Sequence, residues 1–218
     1  MSDEMRYQPQ VFEALIVDFG GVLTTPMQEA MARFSADLGI ELQDLVRVAL
    51  AAYSGSEDRL VTDFETGAIS EEEFAAAFAA RLESVSGVTV DPEGLIERIF
   101  RLDIEEDMLA LVARAQGAGF RTALCSNSWG TRLYPRARLD PLFDVVVISG
   151  EVGLRKPDPA IFELVLEKLG VEPAACIFVD DHPGHLAPAL ELGMTTVLHR
   201  SVSQSVTEVA ELLGLDKQ

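Results

Sequence analysis

A chain of 218 residues with 48% apolar and 24% charged side chains has material for one α/β domain of ordinary size with room for a small insert, and it excludes intrinsic disorder. Thirty-six acidic against 17 basic residues give a formal charge of −19, a surface that repels phosphate backbones and anionic lipid and so argues against a nucleic-acid or membrane partner. No apolar run approaches the ~20 residues of a membrane helix, and the acidic start (Met1, Ser2, Asp3, Glu4) lacks the basic and apolar stretches of a secretory signal, so a cytoplasmic protein, monomer or homodimer, is expected.

In chain order, the first element is an apolar run over residues 14–19 whose lack of strict alternation predicts a parallel strand covered on both faces. The next strand-like run, 121–126, lies far beyond the dozen or so residues that one crossover helix requires. Helical stretches over 28–38, 42–53, 70–84 and 93–101 fill the gap, so residues 25–103 read as an inserted all-α unit and residues 1–24 with 104–218 as the main domain. Ser70 with Glu73 three residues later is a capping-box pattern, and Phe74, Phe78 and Leu82 recur at helical spacing as its packing stripe. A helix over 107–117 precedes the second strand. Strands over 145–149, 176–180 and 195–199 then alternate with helices over 159–169 and 186–192, and a last helix covers 205–213. Gly119, Gly170, Gly193 and Gly214 supply helix stops. This order predicts a right-handed, doubly wound, parallel five-stranded, Rossmann-like sheet carrying an inserted helical domain. Cys125 and Cys176 fall inside strand runs with no CxxC or Cys/His spacing, and are expected to be buried thiols.

Ligands of open α/β sheets bind at the carboxyl ends of the strands. There the expected strands deliver Asp18-Phe19-Gly20-Gly21, Ser126-Asn127-Ser128, Lys156 in the 153–158 loop, and Asp180-Asp181. Each feature alone has an ordinary explanation: a strand-end Asp caps a helix, Gly-Gly makes a turn, a loop Lys is solvated. Together they place three carboxylates, a hydroxyl and an ammonium on one rim. Three such anions repel one another unless a cation lies between them, and oxygen ligands without Cys or His point to Mg²⁺.

With these residues in order, the chain resembles the haloacid dehalogenase-like (HAD) superfamily over essentially its whole length. The resemblance rests on Asp18-Phe19-Gly20-Gly21-Val22-Leu23, Ser126-Asn127, Lys156-Pro157-Asp158-Pro159 with Ile161-Phe162, Phe178-Val179-Asp180-Asp181, and Gly193-Met194. The insert resembles the helical cap of the family's C1 type. The opening motif is most similar to the branch that includes the N-terminal domains of epoxide hydrolases and related small phosphatases. The resemblance implies a Mg²⁺-dependent phosphatase of a small phosphorylated metabolite that works through an aspartyl-phosphate. Asp18 would be the nucleophile. Asp18, the Gly20 carbonyl and Asp181 would hold Mg²⁺, with Asp180 as an outer or alternate ligand and the choice between the adjacent pair open. Ser126 would donate its hydroxyl to a phosphoryl oxygen, Asn127 would offer its amide there or to the leaving group, and Lys156 would pair with the phosphoryl group and keep Asp18 ionised.

Two departures qualify the match. Phosphatases of the family usually carry a second Asp, the general acid, where this chain has Gly20; its loss typically costs about 10²–10⁴ in rate. That restricts the enzyme to good leaving groups such as anomeric sugar, acyl or aryl phosphates, unless a cap residue or water substitutes. His185 stands where the family often has Asn, and it and His182 flank the site; an ordinary helix-start role is the expectation for both. Thr24, Thr25 and Pro26 form the expected hinge into the cap, with the return around 102–105, and Arg33, Arg47, Arg59 and Arg98 are cap cations whose default place is solvent. Two other readings remain: a metal-independent 2-haloacid dehalogenase, disfavoured because Gly20 replaces an aromatic residue and the acidic pair is present, and a non-catalytic binding protein, which Gly20 favours.

Overall fold

Five short runs rich in β-branched and aliphatic residues form one sheet: β1 (Ala14–Val17), β2 (Arg121–Ser126), β3 (Val145–Ile148), β4 (Cys176–Asp180) and β5 (Thr195–Leu198). All neighbours are parallel and the order is β3-β2-β1-β4-β5. The computed structural model describes residues 11–54 and 58–215; the acidic residues 1–4 lie outside them. The chain winds outward from β1 through β2 to β3, then crosses back to β4 on the other side of β1. The direction therefore reverses between β1 and β4, which opens a crevice at their carboxyl ends.

Because strand side chains alternate between faces, the sheet serves two cores. Leu15, Val17, Leu124, Ile177 and Val179 pack against α6 (Glu106–Gly117) and α11 (Val202–Leu213). Ile16, Ala123, Cys125 and Phe178 face α9 (Pro159–Leu169) and α10 (Pro183–Glu191). Both cysteines are buried and unpaired, and burial pushes each thiol up to about 12.

A third apolar cluster belongs to the helices between β1 and α6. These are α1 (Met27–Leu38), α2 (Leu42–Ser54), α3 (Leu60–Glu65), α4 (Glu71–Ser86) and α5 (Leu95–Ile99). The capping box at Ser70 is present in full: Glu73 N donates to Ser70 Oγ and Ser70 N to Glu73 Oε2. Phe74 stacks on Phe64 at 4.2 Å and on Phe78 at 5.3 Å between ring centroids. The helix expected over 93–101 shrinks to α5, because Gly94 enters it left-handed and Phe100 leaves helical geometry. Short helices that periodicity did not reveal are α3, α7 (Arg136–Leu139) and α8 (Ser149–Val152), the last two of four residues each, with α8 following β3 directly.

The chain leaves and re-enters the sheet domain at one place. Thr24 and Ile104 form an isolated antiparallel bridge, Thr25 N donates to Asp103 O at 2.8 Å, and Glu105 N donates to Leu23 O at 2.9 Å. Among the described residues, no helix is long and apolar enough to cross a membrane.

Candidate active site

Asp18 follows β1 directly, and its amide donates to Val179 O at 3.0 Å, so the ends of β1 and β4 are stitched together and Asp18 stands beside the Asp180-Asp181 pair. The turn that follows needs Gly21: its φ is +75°, and a Cβ there would run into Asp181 Oδ2.

Lys156 reaches the same point from the loop before α9. Asp158 caps that helix, accepting from Ala160 N at 3.0 Å with Pro159 in the first turn, so the Lys-Pro-Asp-Pro run divides its labour between the site and a helix start. The Lys156 side chain is 0% exposed. Its Nζ lies 2.6 Å from Asp180 Oδ2 and 2.9 Å from Asp18 Oδ1, and 5.6 Å above the Phe178 ring centre. Burial alone would lower its pKa; the two carboxylates outweigh burial and hold the ammonium charged. Asn127 fixes the Lys156 backbone from both sides, accepting from Lys156 N at 2.8 Å and donating to Lys156 O at 2.9 Å. Its amide thus acts first on the lysine.

The three aspartates differ in surroundings. Asp180 is fully buried and receives Lys156 Nζ, the His182 amide at 2.8 Å, and His185 Nδ1 at 3.1 and 3.2 Å. Burial works against its charge, but Lys156 and His185 win and its pKa falls well below the usual range. Among the described residues, no side chain is hydrogen-bonded to Asp181 in the way that Lys156 and His185 are to Asp180. Burial, then the charges of Asp18 and Asp180, push Asp181 up to about 7. Asp18 is also raised, by burial first, with Lys156 offsetting only part and Asp180 adding to it. Lys156 thus makes its shorter contact with Asp180 and offsets only part of what burial does to Asp18.

Ser126, at the end of β2, is buried, with its Oγ 2.9 Å from Tyr134 Oη; Tyr134 packs on Phe19 at 4.6 Å between ring centroids. His182 caps α10 through Nδ1, which accepts from Gly184 N, as expected of a helix-start histidine. His185 instead belongs to the site through Asp180.

These groups floor a cavity of about 350 Å³. Asp18, Gly20, Ser126, Asn127, Asp181, His182 and His185 line it from the sheet's side, and the segment between β1 and α6 contributes Met27, Met31, Leu50, Phe100 and one acid, Glu65. Trp129, set against Phe100 at 4.7 Å, adds to the apolar wall. Arg33, Arg47, Arg59 and Arg98 stay outside it, bonded to Arg101 O and Asp103, Asp44, Asp63 and Asp91 O respectively. Reading the sequence missed Glu65 and Tyr134. Neither sits at a strand end, and only the apolar company of Glu65 at the close of Leu-Val-Thr-Asp-Phe-Glu marked it as unusual.

The donor set fits a hard divalent cation. Asp18, raised by burial and by Asp180, and Asp181, raised by burial, Asp18 and Asp180, share the cavity with Gly20, and among the described residues Lys156 is the ammonium beside them. The tightest grouping, Asp18 with Asp180 and His185, has ligand atoms within 4.8 Å of one another. Lys156 Nζ already bridges two of its three members, however, so an ion there would meet an ammonium group. The Asp18–Asp181 side is the better seat.

A family model for haloacid dehalogenase-like hydrolases matches residues 12–193. The pig protein named bifunctional epoxide hydrolase 2 is 29% identical over 93% of this chain, which spans only 39% of that protein. An Arabidopsis thaliana flavin mononucleotide hydrolase is 30% identical over 69% of this chain and 60% of its own length. The fold is shared with a HAD family enzyme from Bacteroides thetaiotaomicron in complex with magnesium and inorganic phosphate (TM-score 0.60, 21% identity, 87% of this chain and 94% of that one). It is shared equally with the L-2-haloacid dehalogenase of Xanthobacter autotrophicus (TM-score 0.64, 21% identity, 94% and 83%).

Proposed function

Because the chain belongs to the haloacid dehalogenase-like hydrolases, we propose that it is a Mg²⁺-dependent phosphatase of a small phosphate monoester, working through an aspartyl-phosphate on Asp18. One observation carries the reading: a single ammonium, Lys156, sits 2.9 Å from Asp18 and 2.6 Å from Asp180, while Asp181 faces the same cavity with its carboxyl pushed up to about 7. The site is one cation short, which suits a divalent ion and the phosphoryl group it accompanies. Bound Mg²⁺ supplies the positive charge that ionises Asp18 and Asp181 and neutralises phosphoryl oxygens. Asp18, Gly20 and Asp181 would hold it, with Asp180 serving as the anchor of Lys156 and His185.

The chain's own groups then divide the work. The Asp18 carboxylate attacks phosphorus. Lys156 Nζ and the Ser126 hydroxyl stabilise the charge that builds on the phosphoryl oxygens. Asn127 keeps Lys156 in place and offers its remaining amide hydrogen nearby. Tyr134, 2.9 Å from Ser126 Oγ, sets the direction of that hydroxyl. The cavity wall has no lysine or arginine side chain, and its roof is Met27, Met31, Leu50, Phe100 and Trp129, so the organic part of the substrate is uncharged and largely apolar rather than a second phosphate or a carboxylate. The Arabidopsis relative, by name a hydrolase of flavin mononucleotide, supports a phosphomonoester with such a group.

The dehalogenase reading loses ground at Asp181, since a buried surplus carboxylate has no use in a metal-independent displacement. The test is hydrolysis of p-nitrophenyl phosphate. Turnover is expected with Mg²⁺, is abolished by chelator, and is abolished in Asp18→Asn. Activity that survives either change overturns the proposal, and so does halide release from chloroacetate in EDTA.

A further inference from the structure

The phosphatase reading leaves a gap at Gly20, which cannot protonate a leaving alkoxide. We propose that Glu65, carried by the cap, is the general acid and base of the reaction. This inference rests on the phosphatase reading and adds a catalytic residue to it.

The geometry comes first. Glu65 closes α3, is 1% exposed, and lines the cavity together with Asp18, Ser126 and Asp181, as the one carboxylate the cap contributes. Its carboxyl is near enough to Asp18 and Lys156 for the charges of both to act on it. Its position is fixed against the core by contacts that do not depend on the cap's own packing. Ser149 Oγ donates to Glu65 O. Gly67, at φ +72°, lies so close to α8 that a Cβ would sit 2.6 Å from Gly150 O. Arg155 Nε is 2.7 Å from Glu65 Oε2, and Arg155 Nη1 donates to Thr62 Oγ1 at 3.1 Å. A buried acid held this firmly in a reaction cavity is pre-organised for proton transfer.

Electrostatics agrees with the geometry. Burial raises the Glu65 carboxyl to about 7; Arg155 and Lys156 oppose the shift and Asp18 adds to it. Both protonation states are then accessible near neutral pH, and Arg155 steadies the carboxylate left after proton donation. In the first half-reaction an Asp18 oxygen bonds to phosphorus and the ester P–O bond breaks. Its electron pair goes to the leaving oxygen, which takes the Glu65 proton. In the second half, water attacks the phosphorus of the aspartyl-phosphate and gives its proton to Glu65. The bond to Asp18 breaks, its electron pair returns to the carboxylate, and inorganic phosphate departs. The cavity histidines are otherwise engaged at Nδ1, His182 with Gly184 N and His185 with Asp180.

The experiment compares two esters in Mg²⁺ by kcat/KM, which reports only the steps through departure of the leaving group. p-Nitrophenolate leaves without a proton, whereas hexanol from n-hexyl phosphate needs one. Glu65→Gln is expected to lower kcat/KM for hexyl phosphate by roughly 10²-fold or more and to leave p-nitrophenyl phosphate within about threefold, because a leaving group that needs no proton does not sense the acid. Glu65→Asp recovers part of the loss, and serves alone if the glutamine variant fails to fold. In the unchanged protein kcat/KM for hexyl phosphate falls as pH rises through about 7, because the protonated form is the active one, and this limb is absent in Glu65→Gln. An equal fall on both esters would make Glu65 only a latch for Arg155 and overturn the inference, as would no fall on either. If the unchanged protein hydrolyses neither ester, the phosphatase reading itself fails, which is a different result from a folded, active enzyme indifferent to Glu65.

Discussion

A lysine without solvent exposure persists only where anions surround it, and Lys156 has two within 2.9 Å. Lys156→Met leaves Asp18 and Asp180 buried beside a methyl group. The expected cost is about 3–5 kcal/mol, read as a lower denaturant midpoint, with turnover lost. The sign of its pH dependence follows from the same residues. Without the ammonium, burial raises both aspartates above their unfolded values, so protonation favours the folded state and the variant loses stability as pH rises through those raised values. The deficit is therefore smaller near pH 5 than near pH 8, where both carboxylates must ionise without the ammonium; a constant deficit would mean that Lys156 does little for either acid. Asp18, Ser126, Lys156 and the Asp180-Asp181 pair were legible in the sequence because each ends a strand or sits in the loop after one, where topology alone dictates convergence. Their individual protonation was not legible. It depends on which carboxylate wins the shared ammonium, a matter of tenths of an ångström.

At the scale of elements, the docking of the α3–α4 turn on α8 can be weighed with an internal control. Gly67 and Gly87 both have φ +72°, but a Cβ at Gly87 meets nothing within 4 Å, while one at Gly67 meets Gly150 O. Gly87→Ala carries only the backbone penalty of about 1–2 kcal/mol. Gly67→Ala carries that and the clash, and is expected to be the more destabilising by at least about 1 kcal/mol. Equal midpoints in urea would show that the cap turn does not rest on the core. Strands β1 to β5 were readable as short apolar runs and the long helices as sustained 3.6-residue repeats, several of them closed by a glycine. Helices α3, α5 and α8, of six, five and four residues, are too short to display a 3.6-residue repeat and owe their form to the surfaces they meet. Glu65 was hidden with them, since its role is visible only once α3 is laid against α8 and Arg155.

For the whole molecule, charge is the governing quantity. A chain at −19 that also concentrates Asp18, Asp180 and Asp181 around one lysine stores repulsion at its centre, which a cation binding only the folded form would relieve. Mg²⁺ is accordingly expected to raise the unfolding temperature, by an amount equivalent to about 2.7 kcal/mol when the ion is at a hundred times its dissociation constant. EDTA should reverse the gain and Asp181→Asn abolish it. An unfolding temperature indifferent to Mg²⁺ would remove the ion from the site. With the same surplus of acid, and no lysine or arginine side chain on the cavity wall among the described residues, an ester bringing a second negative group is expected to have a lower kcat/KM than an uncharged one of the same size.

Thr24 and Ile104 face each other across a single bridge. The polypeptide therefore departs for its helical excursion and comes home through one doorway, and the strands on either side of that threshold cannot sense how long the excursion was. A splice made there, joining the two jambs by a tight turn or trading one helical insert for another, would leave every strand of the sheet with the neighbours it already has. Such an exchange would keep Asp18, Lys156 and Asp180 where the sheet holds them, while every wall residue that the helices supply, Glu65 included, would change with the insert.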